Sequence, residues 1–140
     1  RSMSSEESGF IKSERIPVNL WPPNLDMNLF SKEVISKLSP QVYVSVDLDV
    51  LDPSIMAAVG TPEPGGMDWL QITSLLRKVA TEREIVGFDI TELSPGEGSM
   101  SCAYTAAKLA YKLIAYTFLT PQMIVDPGPA EFFDEHLNPP

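Results

Sequence analysis

The sequence predicts an α/β fold in which a parallel sheet is covered by helices. Residues Val42 to Val46 are β-branched, aromatic or small and carry no charge, and Ile85, Val86, Gly87 and Phe88 repeat the pattern. Uncharged runs of this kind suit strands buried on both faces. Segments with helical spacing stand before, between and after these two runs. The order helix, strand, helix, strand, helix is most simply met by parallel strands joined through right-handed crossovers.

Each element has a local signature. Ser4 and Glu7 form a capping-box pair, which predicts a short helix over about 5–11 with a thin apolar face. Pro17, Pro22 and Pro23 then favour an extended connection, in which Trp21 is expected to pack. Phe30, Val34, Ile35 and Leu38 recur at helical spacing opposite Lys32, Glu33 and Lys37, predicting a helix over 29–38 that Ser39 and Pro40 end. After the first strand, Asp52-Pro53 opens a long loop to Gly66, of a length that is usually functional or mobile.

Asp68 caps the next predicted helix, over 69–81, whose Trp69, Ile72, Leu75, Leu76 and Val79 make one apolar stripe. The second strand runs from 84 to 91 and ends in acid at Asp89 and Glu92. Ser94, Pro95, Gly96 and Gly98 form a loop, and Ser99 or Ser101 opens an Ala-rich helix reaching about Phe118. Residues 1–120 therefore read as one domain portion. Residues 121–140 read as a Pro-rich acidic tail without period, in which Phe132 and Phe133 offer a packing surface and His136 is the single histidine.

The first strand ends in Asp47 and Asp49. Two residues apart in extended chain, their side chains leave one face with Cα atoms roughly 6–7 Å apart. Carboxylates that close need something positive between them: one or two divalent metals, a cationic substrate, or a shared proton. Hard metals fit the oxygen donors best. The bland alternative is that the two aspartates cap a loop and face water. In parallel α/β folds ligands bind beyond the carboxyl ends of the strands, where both acidic clusters lie, and that coincidence disfavours the alternative.

Composition narrows the classes. A net charge of −9 argues against nucleic acid and against an anionic membrane surface as partners. The lone Cys102 rules out an intrachain disulfide and agrees with a reducing, cytoplasmic setting, and no apolar run approaches a membrane span. The acids at 47, 49 and 52 miss the spacing of a calcium loop, and no phosphate loop, nucleophile elbow or zinc spacing is present. The chain opens at Arg1 without an initiator Met, so a fragment of a longer protein is expected.

Three segments in order, Ser45-Val46-Asp47-Leu48-Asp49-Val50-Leu51-Asp52-Pro53, Gly60-Thr61-Pro62-Glu63-Pro64-Gly65-Gly66 and Asp89-Ile90-Thr91-Glu92-Leu93-Ser94-Pro95, closely resemble the C-terminal half of the ureohydrolases, the arginases, agmatinases and their relatives. The resemblance runs from Arg1 to about Phe118. It implies a three-layer α/β/α fold with a mainly parallel sheet, of which only the C-terminal part is present, and a dinuclear manganese site at the strand ends. By the same resemblance Asp47 and Asp49 ligate manganese and Glu92 contacts the substrate guanidinium. A metal-activated hydroxide then releases urea and an amine.

Asp52 reads as support for the turn that aims Asp49, and Thr61 as lining the substrate mouth. The expected substrate is a small cationic guanidino compound, agmatine first, which would place the protein in polyamine biosynthesis. Arginine, guanidinobutyrate and formiminoglutamate stay open. The family's other metal ligands come from a Gly-Gly-Asp-His and an Asp-Ala-His-x-Asp motif, and this sequence has neither. Part of the site is thus expected in a missing N-terminal half, the 140-residue chain alone is expected to be inactive, and a non-catalytic binding or assembly subunit is the second hypothesis. The resemblance also implies a homo-oligomer, trimeric or hexameric.

Overall fold

The computed structural model describes residues 3–22 and 26–118; the sequence features beyond Phe118, including Phe132, Phe133 and His136, lie outside them. The element order is α1 (Ser5–Glu14), α2 (Met27–Ser36), β1 (Gln41–Asp47), a 3₁₀ turn (Leu48–Val50), α3 (Trp69–Glu82), β2 (Glu84–Thr91) and α4 (Met100–Phe118). No described helix is long and apolar enough to cross a membrane.

The helix starts follow from their caps. Ser4 and Glu7 close the expected capping box on α1, and Asp68 does the same for α3 with Gln71 at its third position. α2 begins earlier than its apolar spacing indicates, because Asp26 accepts from the backbone N–H groups of Asn28 and Leu29. Past its other end the Arg83 guanidinium donates to the carbonyl of Ile35 at 2.7 Å, which also accepts the Leu38 backbone N–H, and to that of Leu38 at 3.3 Å. α1 buries nothing, as its thin apolar face predicts.

β1 and β2 pair in parallel. Their register slips once: Val42 faces Ile85 but Tyr43 faces Gly87, leaving Val86 as an extra, bulged residue. The slip has a clear effect on side-chain direction. Continued alternation from the buried Ile85 would turn Asp89 into the core; the extra residue instead turns Phe88 and Ile90 inward and sets Asp89 opposite Ser45 on the other face.

One face of the sheet carries the core. Val46 and its partly buried neighbours Val44, Phe88 and Ile90 pack with Phe30 of α2, Ile72 and Leu76 of α3, and Ala106, Leu109 and Leu113 of α4. The opposite face is open among the described residues: Tyr43 is 62% and Val86 58% exposed. This differs from the expectation of strands buried on both faces, and the reason is coverage. The sheet has two described strands, and helices pack on one side of them only.

The segment from Asp52 to Met67 also differs from a loose loop. Met56, Ala58 and Val59 are at most 1% exposed, so its middle belongs to the core. Leu51 bridges to Met67, and the Trp21 indole, stacked edge-on to Phe30, donates to the Gly65 carbonyl at 2.9 Å. Gly66 lies so close to the chain leaving β1 that a Cβ there would stand 2.4 Å from the Leu51 carbonyl carbon. The close approach requires glycine.

Candidate functional site

The site is built where two parallel strands end level with each other. Register pairs Asp47 with Thr91, so Glu92, the next residue of the chain after β2, lies just beyond the level at which β1 ends. Asp47 is the last strand residue and the N-cap of the 3₁₀ turn, its Oδ1 accepting the Asp49 backbone N–H at 3.1 Å. The two aspartates are therefore not related as alternate residues of one extended strand. Leu48 swings into the core, 0% exposed, and the tight turn carries Asp49 round beside Asp47.

The 52–67 segment completes the arrangement. The Thr61 hydroxyl donates to Asp49 Oδ2 at 2.9 Å, fixing that carboxylate from the side. Next to it, Gly60 stands against Glu92: a Cβ on Gly60 would lie 3.4 Å from Glu92 Oε2. Asp47, Asp49, Thr61, Gly60 and Glu92 thus form one contiguous patch. Ser94 reinforces it, its backbone N–H donating to the Ala58 carbonyl at 2.9 Å.

Asp52 bonds elsewhere. Its carboxylate accepts from the backbone N–H of Ser54 and of Gly65, both at 2.9 Å, tying the two ends of the segment together. Hydrogen bonds from Ser54, then from the Gly65 backbone, hold its pKa down to about 2 from the ordinary 3.8. Glu63 is exposed on the same segment.

Glu92 has φ 67°, in the left-handed region that an ordinary side chain avoids at a cost of roughly 1–2 kcal/mol. Strain of this kind gathers where a side chain must be held for a task. On the open sheet face, Asp89 Oδ1 accepts from the Ser45 hydroxyl at 2.7 Å, and a hydrogen bond to Asp89 pushes the Tyr43 hydroxyl pKa up.

The donor chemistry fits a hard metal in part. Asp47 and Asp49 offer oxygen donors, and each has one oxygen oriented by a defined hydrogen bond. Among the described residues no group of three or more His, Cys, Asp or Glu side chains is placed to hold an ion, so the two aspartates make only part of a coordination sphere. The sequence could not reveal Gly60 or the Thr61–Asp49 bond, because both need the 52–67 segment folded back on the strand ends.

An α/β domain portion with carboxylates gathered at the ends of parallel strands is the class this geometry defines. The chain belongs to the arginase family, whose family model, described as Arginase family, matches residues 23–116. It is 35% identical over 118 residues to the N(1)-aminopropylagmatine ureohydrolase of Synechocystis sp., covering 83% of this chain and 38% of that protein. Over 82 residues it is 48% identical to a Thermus thermophilus protein of the same description, covering 59% of this chain and 28% of the other. Among solved structures it superposes on an arginase from Bacillus subtilis with TM-score 0.75 and 27% identity, over 85% of this chain and 44% of that one. The chain thus spans less than half the length of each of these relatives.

Two outcomes test this local architecture. Because the folded pKa of Asp52 lies below its unfolded value, its charge stabilises the fold above about pH 4, and that contribution is lost as pH falls toward about 2. Urea midpoints measured from about pH 5 down to about pH 2 should fall less steeply for Asp52→Asn than for the unaltered chain; parallel acid limbs would show that Asp52 holds no such bonds. At position 92, Glu92→Gly should be more stable than Glu92→Ala by about 1 kcal/mol in chemical denaturation, since only glycine relieves the left-handed backbone. Equal stabilities would mean that no strain is held there.

Proposed function

We propose that the protein to which this chain belongs is a manganese-dependent hydrolase of a guanidino compound, with agmatine the first-choice substrate, and that Asp47, Asp49 and Glu92 are its site residues here. The observation that carries this reading is the contiguous patch itself: Thr61 braces Asp49 while Gly60, its neighbour, abuts Glu92. That arrangement puts two hard-donor carboxylates beside a third carboxylate suited to a planar cation.

In this reading Asp47 and Asp49 hold manganese together with donors from outside the described residues. Manganese, when bound, supplies the acidity that makes a water molecule nucleophilic at neutral pH. Glu92 receives the guanidinium through charge-assisted, two-pronged hydrogen bonds that fix its plane. Its strained backbone holds the carboxylate across Gly60, where the missing side chain leaves room for the ligand. Overall, water adds to the guanidinium carbon and the bond to the substituted nitrogen breaks, giving urea and an amine. Thr61 orients Asp49 and lines the substrate mouth, and Asp52 holds the segment that presents Thr61 and Gly60.

The descriptions of the Synechocystis and Thermus relatives support a second substrate, agmatine bearing an aminopropyl arm. Both substrates present the same guanidinium to Glu92 and differ in what extends away from it. Residues 1–120 as the family portion, 121–140 as an appended tail, a cytoplasmic location and a trimeric or hexameric assembly complete the proposal.

Metal analysis and steady-state kinetics on the manganese-loaded protein separate the roles. Asp49→Asn should lower bound manganese and activity together; unchanged stoichiometry would remove Asp49 from the ligand set. Glu92→Gln should retain manganese and lower kcat/KM for agmatine by about a hundredfold or more, the scale of losing a charge-assisted contact of about 3 kcal/mol. An unaltered kcat/KM would refute the guanidinium role.

A further inference from the structure

A groove of about 390 Å³ lies between the start of α3 and one flank of α4, lined by Trp69, Tyr104, Thr105, Lys108 and Lys112. It shares no residue with the carboxylate patch. Tyr104 is 65% exposed, and the Lys108 ammonium sits 5.6 Å from its ring centre and 5.9 Å from that of Tyr111. Neither lysine makes an ion pair among the described residues, and α4 contains no Asp or Glu. In a chain of net charge −9 this is a local positive, aromatic surface. Its chemistry suits an acidic segment with aromatic side chains: rings pack on the indole, phenol and lysine stems, and carboxylates meet the ammonium groups.

The chain itself supplies such a segment. Residues 119–140 hold Asp126, Glu131, Asp134 and Glu135 and neither Lys nor Arg, and Phe132-Phe133 is flanked directly by Glu131 and Asp134. The reach is ample. From Phe118 to Phe132 the chain can span up to about 46 Å, whereas Tyr104 lies only about 21 Å back along the helix from Phe118. Pro121, Pro127, Gly128 and Pro129 lie between and suit the required reversal.

We propose that Phe132 and Phe133 dock into this groove of their own chain, with Glu131, Asp134 and Glu135 beside Lys108 and Lys112. The C-terminal segment would then be a strap over α3 and α4, on residues that the carboxylate patch does not share.

A zero-length carbodiimide coupling of the intact protein tests this, with peptide mass spectrometry on an equal mixture of ¹⁴N and ¹⁵N preparations. The expected products join Lys108 or Lys112 to Glu131, Asp134 or Glu135 within chains of one isotope. Replacing both rings, Phe132→Ser with Phe133→Ser, should cut their yield about tenfold or more while circular dichroism stays unchanged. A statistical distribution, in which light-to-heavy products outnumber those of either single isotope, would assign the groove to a second copy and would overturn the proposal. So would an absence of these products, or a yield indifferent to the ring substitutions.

Discussion

The parallel pairing of β1 with β2, in the register that sets Asp47 level with Thr91, decides where the chemistry of this chain can lie. Parallel strands end on the same side of a sheet, so residues that leave them are thrown together however far apart they stand in sequence. The bulge at Val86 sets that register beyond Val42. It keeps Asp89 off the core and brings Ile90 opposite Val46, so the apolar face meets the helices without a carboxylate buried in it.

The second constraint is the 52–67 segment, a part of the core that also serves the site. Its buried Met56, Ala58 and Val59 anchor it against the loop that leads into α4, where a Cβ on Gly98 would stand 2.6 Å from that of Ala58. Asp52, Trp21 and the Leu51–Met67 bridge fix its ends. With both middle and ends held, Thr61 and Gly60 are presented by a supported backbone, a condition for placing a carboxylate within a fraction of an ångström. Within the patch, Glu92 departs from comfortable backbone geometry, as expected where position matters more than local stability.

Much of this was legible in the sequence, for identifiable reasons. The capping box at Ser4 and the cap at Asp68 are local hydrogen-bond patterns that read directly from residue type and spacing. Asp47, Asp49 and Glu92 stood out because charge interrupts apolar strands at their carboxyl ends. Four things were not legible. The 3₁₀ turn that carries Asp49 round depends on Leu48 finding the core. The burial of Met56, Ala58 and Val59 has no period to reveal it, and Trp21 meets Gly65 across a wide sequence gap. The bare sheet face could not be foreseen either, because apolar strand composition reports what a complete fold covers, while this chain spans 44% of the Bacillus subtilis arginase it superposes on.

The central claim is that Asp47 and Asp49 are part of a manganese centre with Glu92 beside it as the guanidinium carboxylate. Anomalous diffraction at the manganese edge, from crystals of the metal-loaded protein, tests it most directly. The expected result is two manganese peaks in contact with the Asp47 and Asp49 carboxylates, with Glu92 facing them but not coordinating. Peaks remote from both aspartates, or a metal ligated by Glu92, would contradict the claim.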